Sequence, residues 1–161
     1  MIGFTKQYEE VGVHAPAWHD CRLLAGAAAQ QVTAGAVTVV NGIPPGLLVY
    51  ADPLIGAVFA NLIDNATRHG GMVTTIAFSA RQDRGALVIT CQDDGDGIPA
   101  GEKERIFEPG YGKNTGLGLA LAREILAITG ITIAETGTPG RGASFAITVP
   151  PGTWRAESTP E

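Results

Sequence analysis

Three short stretches hold most of the residues able to do chemistry. In the first, Asn61, Asn65 and Arg68 stand at i, i+4 and i+7 within Asn61-Leu62-Ile63-Asp64-Asn65-Ala66-Thr67-Arg68-His69. On a helix, at about 100° per residue, that spacing lines up two amides and a guanidinium along one edge. An amide oxygen can ligate Mg2+, a hard cation that prefers oxygen, and a guanidinium can meet phosphate. A solvated polar face has the same spacing and stays open as the alternative.

In the second stretch, Leu87-Val88-Ile89-Thr90-Cys91-Gln92-Asp93 runs into Asp94-Gly95-Asp96-Gly97-Ile98-Pro99. Strand alternation puts Leu87, Ile89, Cys91 and Asp93 on one face. Asp93 is then a carboxylate ending an apolar row, and burial without a donor would be costly. The exocyclic amine of adenine is one donor that would serve, and Gly95 and Gly97 leave room for a flat base against the backbone. A calcium loop would need spaced ligands and a closing Glu that are missing, while a plain turn remains open. The third stretch, Tyr111-Gly112-Lys113-Asn114-Thr115-Gly116-Leu117-Gly118-Leu119, feeds glycines into a helical pattern. Unpaired amides at such a junction make a phosphate cradle. It lacks the Gly-Lys-Ser/Thr of a P-loop and the strand-borne dinucleotide fingerprint. Gly140-Arg141-Gly142 reads as a tight bend before a last strand.

The elements that must position these groups are legible from periodicity. Trp18, Cys21, Leu24, Ala25, Ala28 and Val32 predict a helix over 18–33. Residues 36–40 and 47–50 read as strands separated by Asn-Gly and Pro-Pro. Asp52-Pro53 predicts a helix start, with Asp as N-cap and Pro at the first helical position, and Gly70-Gly71 ends it. On that helix Ile55, Phe59, Leu62, Ile63 and Ala66 share one arc. Strands follow over 73–80 and 86–92, a short helix over 102–107, a longer one over 117–129, and strands over 131–136 and 143–149. No internal repeat is present. Without strict βαβ alternation, the pattern favours an α/β two-layer sandwich, a mixed β-sheet with helices on one face. The expected organisation is a tether over 1–16, one domain over 17–150 and a frayed, Pro-rich tail over 151–161.

Composition narrows the classes. With 45% hydrophobic and 17% charged residues in 161, the chain can bury a core and is not a disordered one. Its 22 glycines show no three-residue period, which excludes collagen. A net charge of −5 without a basic cluster argues against nucleic acid and against direct membrane contact. No apolar run approaches the roughly 20 residues of a membrane span, and the start lacks the order of a secretory signal. Cys21 and Cys91 have no metal-ligand spacing and read as buried hydrophobes in a reducing compartment.

In order along the chain, N-L-I-D-N-A-T-R-H, D-D-G-D-G-I-P, R-I-F-E-P-G-Y-G, T-G-L-G-L-A and G-R-G-A-S-F resemble the N, G1, F, G2 and G3 boxes of sensor histidine kinases. Their ATP-binding domains share the Bergerat-type fold of the gyrase and mismatch-repair ATPases. The resemblance runs from about Trp18 to Pro150. It implies ATP and Mg2+ as ligands, Asn65 as the metal ligand and Asp93 as the adenine-reading carboxylate. Gly95, Gly97 and Ile98 would line the base pocket, with His69 beside it. Lys113, Thr115, Gly116, Leu117 and Gly118 would belong to a lid over the phosphates, anchored by Phe107. Asn61 and Arg68 would act on the reacting end. Asn61 stands where hydrolysing relatives carry a Glu that activates water, and an amide cannot serve as that base.

The chain departs from the family at Arg68, usually Lys, which keeps the charge and changes the geometry. Asn114 stands where a further glycine is common, and the loop over 107–116 is short. His14, His19 and His69 lack the context of a phosphoaccepting histidine. The expected function is therefore that of a protein histidine kinase catalytic domain, unable to autophosphorylate alone. It would donate the γ-phosphoryl to a histidine on a separate dimerisation module, with a response regulator downstream. The expected location is the cytoplasm, with attachment to a membrane-bound sensor left open. A nucleotide-responsive interaction module without turnover is the alternative, and a hydrolysing switch is disfavoured by Asn61.

Overall fold

The computed structural model describes residues 11–31, 37–69, 71–109 and 118–157, with only the backbone of His69. The strands are β1 (Ala17–Asp20), β2 (Thr38–Asn41), β3 (Leu47–Ala51), β4 (Thr75–Asp83), β5 (Ala86–Asp93), β6 (Thr132–Glu135), β7 (Ser144–Val149) and β8 (Trp154–Ala156). Five of them form a mixed sheet in the order β2-β4-β5-β7-β6. Within it β2 pairs parallel with β4, and the other neighbours pair antiparallel. The remaining three form an antiparallel sheet, β1-β3-β8. Three α-helices are described: α1 (Cys21–Gln30), α2 (Ile55–His69) and α3 (Gly118–Ala127).

The two-layer arrangement follows from period 2 in the strands and 3.6 in the helices. Ile76 and Phe78 of β4, Leu87, Ile89 and Cys91 of β5, and Phe145, Ile147 and Val149 of β7 are all buried. Of the intervening residues Ser79 and Gln92 are exposed, Ala77 and Thr90 half-buried and Val88 buried, so one face of the sheet is fully covered and the other only in part. Against the covered face lies α2, whose Ile55, Phe59, Leu62, Ile63 and Ala66 are buried as the arc requires. Helices α1 and α3 pack on either hand of it. Burial at roughly 25 cal/mol per Å2 of apolar area makes this interface the main source of stability.

Four local readings are corrected. Trp18 is not helical. It lies in β1, with its ring 5.4 Å from that of Tyr50, because residues 17–20 pair with β3 and Asp20 caps the helix through its Oδ1 and the N–H of Leu23. The long helix begins at Ile55 rather than at Pro53. Asp52 first accepts from Leu54 N at 2.9 Å, and its carbonyl accepts from Ile55 N in a tight turn. The expected helix over 102–107 is two 3-10 turns, Ala100–Glu102 and Arg105–Phe107. Part of the segment expected as a frayed tail is strand β8. Trp154 Nε1 donates to the Gly85 carbonyl at 3.0 Å, and the Arg155 guanidinium lies 4.4 Å over the Trp18 ring. Both cysteines are free and buried, and burial pushes their thiols up to about 12, as small core hydrophobes would have it.

Asp52 also reaches into the segment expected as a tether. Its buried carboxylate accepts from Gly12 N at 2.9 Å, and Val11 packs against the core. One side chain thus holds the chain entering the domain and the turn that leads into α2. Replacing Asp52 by Ala is expected to cost about 1–2 kcal/mol in urea denaturation and to expose the Gly12 amide to exchange. Unchanged stability and unchanged exchange at Gly12 would rule this role out.

Candidate functional site

The rim of α2 carries the first group. Asn61 and Asn65 are half-buried and Arg68 is exposed, above the buried arc. Asn61 Nδ2 donates to the Gly118 carbonyl at 3.0 Å, which ties α2 to the first residue of α3. The side chain of Asn65 makes no hydrogen bond to a described residue. Arg68 is turned away to Asp64, Nε to Oδ1 at 2.9 Å, in an exposed i, i+4 pair. Asn61 is thus committed to the start of α3, while Asn65 and Arg68 keep the arrangement of a polar helix edge. The side chain of His69 lies outside the described residues, as do Lys113, Thr115, Gly116 and Leu117.

Asp93 ends the buried row of β5 and is only 6% exposed. Its Oδ1 accepts from Gly95 N at 2.9 Å and from Ala143 N at 3.1 Å. Its Oδ2 takes no donor among the described residues. Backbone thus supplies donors to one of the two oxygens that burial leaves in need of them. Gly95 is buried and Ile98 is half-buried against the core.

The loop between β6 and β7 closes on this carboxylate. Gly142 has φ +93°, and a Cβ there would overlap the Asp93 carbonyl oxygen. Asp93 N in turn donates to the Ala143 carbonyl at 2.9 Å. Gly97, at φ +80°, would place a Cβ 3.0 Å from the Gly142 carbonyl and 3.2 Å from that of Thr138. The space its missing side chain leaves is filled by this loop, where sequence reasoning assigned it to the base. The neighbouring acids have separate duties. Asp96 accepts from Gly140 N at 2.8 Å through its carbonyl. Asp94 accepts from the Thr74 hydroxyl, from Thr74 N at 2.8 Å and from Thr75 N at 3.1 Å, fastening the turn to β4.

Phe107 is buried, edge-on to Phe145 at 6.3 Å, and the Arg123 guanidinium lies 4.3 Å over its ring. It is therefore a fixed point just before the glycine-rich stretch. Sequence reasoning missed Arg123, and it missed the ion pair of half-buried Lys103 with buried Glu135. Glu135 follows Ile133 in the buried register of β6, the same parity that singled out Asp93, so alternation could have found it. Among the described residues no three His, Cys, Asp or Glu side chains form a metal cage. A cation here would draw on Asn65, water and the ligand's own oxygens, which is how Mg2+ is commonly held on phosphates.

Residues 51–153 match the model of the histidine kinase-, DNA gyrase B-, and HSP90-like ATPase family. The chain belongs to that family. It is 40% identical over 101 residues to the alginate biosynthesis sensor protein KinB of Pseudomonas aeruginosa, covering 60% of this chain and 17% of KinB. It is 32% identical over 143 residues to the sensor protein KdpD of Escherichia coli, covering 83% of this chain and 16% of KdpD. The chain thus spans about a sixth of these relatives. Among solved structures, the ATP binding domain of PrrB from Mycobacterium tuberculosis matches with TM-score 0.72 and 26% identity, over 86% of this chain and 98% of that one. The mycobacterial sensor histidine kinase MprB shares the fold, with TM-score 0.74 and 20% identity over 84% and 97% of the two chains. Membership supports ATP binding by this domain. No described helix is long and apolar enough to cross a membrane.

The Thr74 hydroxyl, followed by the amides of Thr74 and Thr75, draws the Asp94 carboxyl down from 3.8 to about 2. A depressed folded value means the stabilisation is complete above 3.8 and is lost as pH falls through about 2. Acid titration of stability should lose this component between those limits, and Asp94→Asn should flatten the curve there. An unaltered acid limb in Asp94→Asn would contradict the assignment.

Proposed function

We propose that this domain binds Mg-ATP and donates the γ-phosphoryl to a histidine on a separate dimerisation and phosphoacceptor module, for relay to a response regulator. The observation that carries the reading is the divided carboxylate of Asp93, with one oxygen locked by two backbone amides and the other open. An oriented acceptor of that kind suits the exocyclic amine of adenine. Asn65, with its amide oxygen uncommitted at the α2 rim, would hold the metal. Gly118, Lys113, Thr115, Gly116 and Leu117 would cover the phosphates as a lid pivoting beyond Phe107. When bound, Mg-ATP supplies the phosphoryl group and the charge neutralisation that its loose transfer needs.

Arg68 would leave Asp64 for the phosphates. An exposed ion pair of this type is worth about 1 kcal/mol or less, so a triphosphate offers ample compensation. Asn61 braces the start of α3, and its amide cannot activate water as a general base. The residues therefore favour transfer to an external acceptor over hydrolysis, with catalysis resting on positioning. The reading places the domain in the cytoplasm, where ATP is available.

The test is incubation of the domain with γ-labelled ATP, Mg2+ and a histidine-bearing dimerisation module. Acid-labile, base-stable label should appear on that histidine, and Asn65→Ala should slow its appearance by about 100-fold. If the domain binds nucleotide and labels no histidine under any condition, transfer is wrong and a nucleotide-responsive docking module replaces it.

A further inference from the structure

The ion pair between half-buried Lys103 and buried Glu135 is not needed by any step above. The Glu135 side chain is fully buried, and its carboxylate is saturated. Oε1 takes the Lys103 ammonium, and Oε2 accepts from Gly137 N at 2.9 Å and Ser144 N at 2.8 Å. Lys103 Nζ also donates to the Gly137 carbonyl at 2.8 Å. Gly137 must be glycine for this, since a Cβ would lie 2.7 Å from Glu135 Oε2 and 2.7 Å from the Gly142 carbonyl. Stability alone does not explain the arrangement, because burying the Glu135 carboxylate carries a desolvation cost that a well-packed apolar residue would not. What the charges add is a single conformation for the backbone they bind.

That backbone is the loop closing on Asp93. Ser144, held by Glu135, directly follows Ala143, whose N–H orients Asp93 Oδ1. Gly137, held by both members of the pair, opens the loop whose Gly142 packs on the Asp93 carbonyl. Lys103 lies between the two 3-10 turns, in the stretch that ends at Phe107 and leads to the glycine-rich segment. The pair therefore fastens the approach to the lid onto the loop that aims the carboxylate.

We propose that Lys103 and Glu135 are positioning residues for base recognition, acting through the 137–143 loop on Asp93. The proposal rests on the nucleotide reading above for its ligand, and its amide arm does not. Neither residue touches the base. Losing the pair should let Asp93 rotate, which weakens adenine nucleotides more than guanine ones.

The variants are Glu135→Gln, Lys103→Met, Lys103→Arg and the neutral double Lys103→Met/Glu135→Gln, each checked by thermal melting. Non-hydrolysable ATP and GTP analogues with Mg2+ are titrated into each. Amide resonances of Gly95 and Ala143 are recorded without nucleotide. Among folded variants, Lys103→Met and Glu135→Gln should bind the ATP analogue about tenfold more weakly, with a smaller ATP-to-GTP ratio. Lys103→Arg should restore both, and the Gly95 and Ala143 resonances should move in the impaired variants alone. Lower melting temperatures with unchanged nucleotide ratio and unmoved resonances would make the pair merely structural and overturn the proposal. If the wild type binds neither analogue, the nucleotide reading fails. The Gly95 and Ala143 resonances then decide the positioning role by themselves, and resonances that stay in place reject it.

Discussion

A carboxylate buried at the end of a core strand has to be given donors, and Asp93 obtains two of them from backbone that two separate turns deliver. Gly95 N comes from the turn that leaves β5, and Ala143 N from the residue just before β7. Both amides converge on one oxygen only because β5 and β7 pair antiparallel with Gln92 opposite Ser144. A one-residue slip in that register would turn Asp93 to the solvated face. The orientation of this carboxylate depends on sheet pairing before it depends on any ligand.

The surrounding glycines serve this constraint. Gly142 lets the loop lie on the Asp93 backbone, and Gly97 lets the following turn lie on the loop. Asp94 and Asp96 secure the same turn from the other side, through β4 and through Gly140. In an acidic run that looks like a cation loop, the Asp93 carboxylate takes two backbone amides, the Asp94 carboxylate ties the turn to β4, and Asp96 joins the neighbouring loop through its backbone carbonyl. The α2 rim is organised in the same manner, with Asn61 bracing α3 and Asn65 left open.

Much of this was legible before any coordinates. Alternation placed Asp93 at the end of the row of Leu87, Ile89 and Cys91, and helical arithmetic placed Asn61 and Asn65 at the edge of the arc of Phe59 and Leu62. Both succeed because a buried stripe fixes which side chains face inward. The errors fall where local composition and long-range pairing disagree. Trp18 fits the helical spacing of Cys21 and Ala25 yet is claimed by β3, and Trp154 follows two prolines and a glycine yet is claimed by β3 and Gly85. Neither partner is a neighbour in sequence. Arg68 resting on Asp64 escaped notice because a guanidinium within reach of a carboxylate takes that contact when no phosphate competes. The Lys103 and Glu135 pair escaped because its halves lie 32 residues apart and outside every one of the five boxes.

The central claim is that the free oxygen of Asp93 accepts from adenine. It is tested most directly by calorimetric titration of a non-hydrolysable ATP analogue with Mg2+ into wild type and Asp93→Asn. Asparagine can still accept from Gly95 and Ala143, so the fold should stand, while its amide presents a donor where the base needs an acceptor. The account predicts binding to wild type and a loss of roughly 10- to 100-fold in Asp93→Asn at unchanged melting temperature. Equal affinity in the two proteins would contradict it.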